Sequence, residues 1–202
     1  MSTTVSVDIH APAEDIEHLD SADRPAAPFR TDTFRVTRPS IAGPDEPEAP
    51  FPIKLAGPVQ HGFGRGGKDL GCPTANLPDE SITPMSHVCE QGVYYGFAQV
   101  DAADPEDSAV HPMVMSLGWN PFYKNERLTA EIHLMHPFKS DFYDRDMKAI
   151  VLGYIRPQLD YTSREALVED IQTDIRVAQE SLKRPAYQAY STDCSWTPDG
   201  SA

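Results

Sequence analysis

Four runs that read as β-strands follow one another with no helical stretch between them: GVYYGFAQV (92–100), HPMVMSLGW (111–119), LTAEIHLMH (128–136) and KAIVLGYIRP (148–157). The first two are rich in β-branched and aromatic residues and end at turn signals. The third alternates, with Ala130, Ile132 and Leu134 on one face and Glu131, His133 and Met135 on the other. The fourth reads as a buried strand that stops at Pro157. Strands in such succession argue for an antiparallel sheet, and closing it into a small barrel removes its edges. The expected class is therefore all-β, a small closed antiparallel β-barrel.

One helix is expected, after the strands. Thr162 has the character of an N-cap, and Glu165 three residues on completes a capping box. Leu167, Ile171, Ile175, Ala178 and Leu182 recur at helical spacing, and Pro185 follows the end. This stripe should lie against the outside of the barrel, with most of the helix's charged residues solvated. Residues 1–48 are rich in Ala, Pro, Asp, Glu, Ser and Thr and carry ten acidic against four basic residues. That is the composition of a disordered tail, so the fold should survive its removal. The domain is expected over 49–185, with a second loose tail over 186–202.

The formal net charge of −14 repels nucleic-acid backbones and anionic membranes, so neither is expected as a partner. A small anionic ligand fits if backbone amides and a metal supply local positive charge. The sequence shows no secretory signal, no typical mitochondrial presequence and no apolar run of membrane-spanning length. Cys72, Cys89 and Cys194 have neither zinc spacing nor the numbers for a disulfide framework, so the cytoplasm is the expected compartment. A monomer is expected.

GFGRGGKD (62–69) half-fits two phosphate-binding patterns. As a Walker loop it aligns Gly62, Gly67 and Lys68, but Asp69 stands where a hydroxyl would meet magnesium. As a dinucleotide fingerprint it lacks the helix that must follow, since Gly71, Pro73 and Pro78 forbid one of useful length. Directly after it comes PTAN, in which Thr74 and Asn76 point to the same side of an extended segment. Both are hard oxygen donors of the type magnesium accepts. An ordinary turn with Thr and Asn bonded to backbone accounts for the same four residues. Glu131 is either a carboxylate beside a cavity or a solvent-facing strand glutamate. Lys68 either touches phosphate or is solvated. A metal site of Glu131, His133 and His136 is disfavoured because His136 should face away from the other two.

GFGRGGKDLGCPTANLP, GVYYGFAQV, SLGWNPFYKN, AEIHLMH and GYIRP occur in the order and spacing of the eukaryotic riboflavin kinases, which the chain resembles from about residue 55 to about 183. The resemblance implies a Greek-key β-barrel with a helix packed on its outside, and ATP and riboflavin as substrates with FMN as product. It also implies Mg²⁺ or another divalent cation such as Zn²⁺. By the same resemblance Gly62 and Lys68 contact nucleotide, Thr74 and Asn76 hold the metal, and Glu131 is the catalytic base. Leu134, His136 and Tyr143 fall where relatives contact nucleotide, and Arg156 and Leu159 fall beside the flavin. Gly67 stands where relatives commonly have Ser. A non-catalytic flavin or nucleotide binding module is the alternative, against which Glu131, Thr74 and Asn76 together speak. The bacterial bifunctional enzyme needs an adenylyltransferase domain, for which the N-terminal segment is too short.

Overall fold

The computed structural model describes residues 30–61, 73–119, 128–161 and 163–196. In chain order these form α1 (Asp32–Val36), β1 (Ile53–Pro58), β2 (Ala75–Asn76), α2 (Asp79–Ser86), β3 (Gly92–Val100), β4 (His111–Trp119), β5 (Leu128–Leu134), β6 (Asp146–Pro157), α3 (Arg164–Leu182) and α4 (Pro185–Gln188). Two short 3₁₀ turns, Ala189–Thr192 and Cys194–Trp196, follow.

The six strands pair antiparallel in the order β1-β6-β3-β4-β5-β2, a half-barrel. An isolated bridge links the two ends of that order: the Gln60 N–H, just past β1, donates to the Asn76 carbonyl of β2 at 2.8 Å. The four strand runs of the sequence are β3 to β6, the last beginning two residues earlier than expected, at Asp146.

Two apolar clusters lie on opposite faces of the sheet. The inner one gathers Leu55, Tyr94, Met113, Met115, Ile132 and Met147, with Ile82 and Met85 of α2. The outer one sets Tyr95, Phe97, Val114, Ile150 and Leu152 against Val177, Ala178 and Leu182 of α3. Each fully buried side chain of this size contributes roughly 1.5–3 kcal/mol. β3 is buried along nearly its whole length because both its faces are covered, and so its sequence does not alternate. Gly153 makes room on β6 for the Tyr95 ring, which a Cβ there would strike. β5 is different. Ala130, Ile132 and Leu134 are buried, whereas Glu131 is exposed and His133 half-buried. The helix α3 packs over β3, β4 and β6, and the outer face of β5 is open at Glu131.

Thr162 lies outside the described residues; the N-cap is Ser163, whose Oγ accepts from the Ala166 N–H at 3.2 Å. The buried face of α3 is also rotated from the expected stripe. It carries Asp170, Asp174, Val177, Ala178, Ser181 and Leu182, while Leu167, Ile171 and Ile175 are half-buried. Two aspartates can turn inward because arginines meet them. Arg156 donates Nε and Nη2 to Asp174 at 2.8–3.1 Å, and Arg38 donates to the same carboxylate. Asp170 accepts from Arg30 Nε and from the Tyr161 hydroxyl, each at 3.0 Å. Burial works against the Arg156 cation, but the hydrogen bonds and charge of Asp174 outweigh it and raise the pKa further above its ordinary value.

Arg30 and Arg38 belong to the stretch assigned from composition to a tail, and residues 30–48 are not loose. The Ala42 N–H donates to Ser181 Oγ at 2.9 Å, the Tyr95 hydroxyl to the Ala42 carbonyl at 2.8 Å, and the Tyr187 hydroxyl to the Pro44 carbonyl at 3.0 Å. Nor is the stretch after Pro185 loose as far as residue 196, since Tyr187 and Trp196 are buried and Trp196 Nε1 donates to the Tyr190 carbonyl at 2.7 Å. Composition misjudged both segments because a few anchoring side chains suffice to fix an otherwise polar chain.

A chain beginning at residue 46 lacks both Arg30 and Arg38. Removing one member of a buried ion pair typically costs ~3–5 kcal/mol, so the shortened chain should melt at a clearly lower temperature. Coincident melting curves for the two lengths would return residues 30–45 to the role of a tail.

Candidate active site

Two residues of β2 bring the PTAN segment against β5. Ala75 pairs with Ile132 and Asn76 with Glu131. Paired residues of an antiparallel ladder share a face, so Asn76 and Glu131 stand side by side while Ala75 and Ile132 join the inner core. Continuing the register one residue puts Thr74 beside His133, whose Nδ1 is 2.9 Å from the Pro73 carbonyl and must carry its proton to donate there. Thr74, Asn76, Glu131 and His133 therefore share one face.

Asn76 is 7% exposed, and its side-chain Oδ1 is buried with no hydrogen-bond partner among the described residues. An orphaned buried acceptor costs about 1–3 kcal/mol. A hard cation relieves that cost, and half-buried Thr74 offers a second neutral oxygen nearby; the donor set suits a cation whose remaining positions are filled by phosphate and water. Among the described residues no group of three or more His, Cys, Asp or Glu side chains could hold a metal ion.

The nucleotide candidates divide. Gly62 and Lys68 lie outside the described residues. Leu134 is 4% exposed and belongs to the inner core, on the opposite face of β5 from Glu131. His136 and Tyr143 lie in the connection from β5 to β6. His136 Nε2 is 2.9 Å from Asp107 Oδ1, and its ring stacks on His111 with centroids 3.9 Å apart. Tyr143 stacks on His61 at 3.8 Å, which sets this connection beside the residue that leads into the glycine loop. Backbone bonds hold the arrangement, with Val59 N–H donating to Arg145 O and Asp144 N–H to Val59 O.

The flavin candidates stand apart. Arg156 is buried at the end of β6, its guanidinium engaged by Asp174 and by the Pro157 carbonyl. Leu159 is half-buried two residues past the strand. The register nevertheless joins them to Glu131 in one row across the sheet: Asn76, Glu131, Ser116, Val93, Arg156. Sequence reasoning missed Ser116, and it missed Asp170 and Asp174. The aspartates had a signal, since they continue the helical spacing of Val177, Ala178 and Ser181.

Comparison with known proteins turns up riboflavin kinases. The family model described as "Flavokinase: Riboflavin kinase" matches residues 49–182. A curated riboflavin kinase of Pyricularia oryzae is 49% identical over 175 residues, covering 81% of this chain and 83% of that protein. One of Lodderomyces elongisporus is 41% identical over 183 residues, covering 78% and 99%. Among solved structures, the riboflavin kinase of Trypanosoma brucei superposes with a TM-score of 0.58 at 29% identity, covering 77% of this chain and 95% of that one.

His111 gives the site region a pH dependence. Burial, with the neighbouring His136, pushes the His111 pKa below its ordinary value against the opposing pull of the Glu106 carbonyl and Asp107. The unfolded chain titrates near ~6.5 and binds the proton first as pH falls. This contribution to stability is therefore complete above the unfolded pKa and is lost as pH drops through the folded one. Denaturant titrations between pH 7 and 5 should show a shallower slope for His111→Phe; an unchanged slope would assign the titration elsewhere.

Proposed function

This chain belongs to the riboflavin kinase family and phosphorylates riboflavin, and we infer that it moves the γ-phosphoryl of ATP to the ribityl 5′-hydroxyl, giving FMN and ADP. The observation that carries the site assignment is the pairing of Asn76, with its orphaned oxygen, against Glu131. Glu131 is the general base. A ribityl hydroxyl is a weak nucleophile, and a carboxylate beside it orients the oxygen and takes its proton as attack proceeds. Thr74 and Asn76 would hold a divalent cation, Mg²⁺ or another such as Zn²⁺, which when bound would supply neutralisation of phosphate charge. His133 fixes the segment that bears these two residues through its bond to Pro73.

Gly62 and Lys68 contact the phosphates, Leu134 lines the nucleotide side from the core, and His136 and Tyr143 border the base. Arg156 and Leu159 flank the flavin, with Asp174 holding the arginine in place. The Gln60–Asn76 bridge supports reading the half-barrel as closed. The catalytic domain is residues 49–185, braced by 30–48 and 186–196, and it works as a cytoplasmic monomer. Among the described residues no helix is long and apolar enough to cross a membrane.

Purified protein given riboflavin and magnesium-ATP should yield FMN and ADP, and two substitutions separate the roles. Glu131→Gln should bind both substrates yet slow the chemical step ~10²–10⁴-fold, with the loss in kcat more than in KM. Single-turnover phosphorylation at the parent rate would remove Glu131 from the mechanism. Thr74→Val keeps the side-chain shape and should weaken magnesium-dependent ATP binding far more than stability. Unchanged affinity by calorimetry would leave PTAN as a turn.

A further inference from the structure

The row across the sheet contains a polar pair to which the site described above gives no role. Ser116 of β4 is the direct partner of Glu131 on β5, and on its other side Val93 of β3 leads to Arg156 of β6. Neighbouring strands are ~4.8 Å apart, so about 14 Å separate Glu131 from Arg156, and Ser116 stands within that interval. It is not alone there. Gln158, one residue before Leu159, turns back over the sheet and donates Nε2 to Ser116 Oγ at 3.1 Å. The space for that amide exists because residue 118 is glycine: a Cβ on Gly118 would collide with both polar atoms of the Gln158 side chain.

This bond leaves a defined set of open valences. Gln158 occupies one acceptor position of the Ser116 hydroxyl and thereby directs the hydroxyl hydrogen away from itself. Among the described residues that hydrogen has no acceptor, and Gln158 Oε1 has no donor. Both residues are half-buried, so these atoms are partly shielded from bulk water. One donor and one acceptor held side by side match an alcohol, which accepts with its oxygen and donates with its hydrogen.

We propose that Ser116 and Gln158 read the secondary hydroxyls of the ribityl chain as it runs from the flavin ring to Glu131. The proposal deepens the kinase reading and rests on Glu131 marking the 5′-hydroxyl end and Arg156 and Leu159 the ring end. The pair discriminates among substrates through the chain, whereas phosphoryl transfer itself stays with Glu131 and the nucleotide residues. A site built to hydrogen-bond a hydroxyl rejects the analogue that lacks it, because its own polar groups are then left unpaired.

The test compares riboflavin with its 2′-, 3′- and 4′-deoxy analogues, all of which keep the 5′-hydroxyl. Ser116→Ala should raise KM for riboflavin ~tenfold, the effect of one lost hydrogen bond, without changing KM for ATP. For at least one deoxy analogue the same substitution should change KM less than twofold, so that the parent enzyme's preference for riboflavin over it collapses. Ser116→Thr keeps the hydroxyl and should keep the preference. Gln158→Leu should reduce it in the same direction, and it carries the test should Ser116→Ala fail to fold, as a melting curve would reveal. Equal losses on riboflavin and on every deoxy analogue would overturn the proposal. Glu131→Gln, assayed alongside, distinguishes that result from failure of the Glu131 assignment, which would instead show as full activity in the glutamine variant, while failure of the kinase reading would show as no FMN from the parent enzyme.

Discussion

Asp174 is the point at which the sheet, the long helix and the N-terminal segment meet. Its carboxylate is 2% exposed at the residue level and accepts from Arg156 on β6 and from Arg38 in the segment ahead of β1. Burying a carboxylate alone is prohibitive, and burying it with one arginine is close to neutral when geometry is good. With two arginines and a neighbouring aspartate paired to a third, the cluster fixes relative position more than it adds stability. Apolar contact between α3 and the outer face of the sheet tolerates sliding; a bidentate guanidinium does not. The orientation of α3, the seat of the 30–48 segment and the direction of the chain leaving β6 toward Leu159 are all set there.

The same packing explains where the site is. A helix of limited length covers β3, β4 and β6, and those strands acquire a second apolar face. β5 keeps a polar outer face, and β2 contributes only two residues beside it. Chemistry needs side chains that reach both a rigid scaffold and a solvent-borne ligand, and this polar border of the sheet, where Glu131 is exposed, meets both conditions. Glu131 projects from a strand whose other face, through Ile132, is locked in the inner core.

Much of this was legible in the residues. The β5 alternation was visible because only one face of that strand is buried, and the same alternation located Glu131. β3 and β4 were found through composition instead, since burial on both faces erases the period-two signal. α2 was not read, because DESITPMS contains Pro84 and few strong helix formers, and tertiary contacts through Ile82 and Met85 hold it. The N-terminal segment was misjudged for a related reason. Its anchors are arginines, which local composition counts as solubilising, and their partners are more than 130 residues away. No local pattern encodes such a pairing. Likewise the kinship of Thr74, Asn76 and Glu131 could be drawn from family resemblance, but their contact depends on the β2–β5 register, which hydrophobic pattern alone does not specify over two residues.

The bridge between Gln60 and Asn76 has a bearing on nucleotide capture. The chain from one to the other leaves and returns through a single hydrogen-bonded neck, and His133 grips the returning strand at Pro73 just inside it. The two ends of the intervening stretch are therefore held together by the sheet itself. The entropy of joining those ends is settled when the sheet assembles and is not drawn from the free energy of binding phosphate. Because Asn76 forms one side of the neck, it is anchored on both flanks, to Glu131 of β5 and to Gln60 beyond β1, and its side-chain oxygen keeps its place in the sheet.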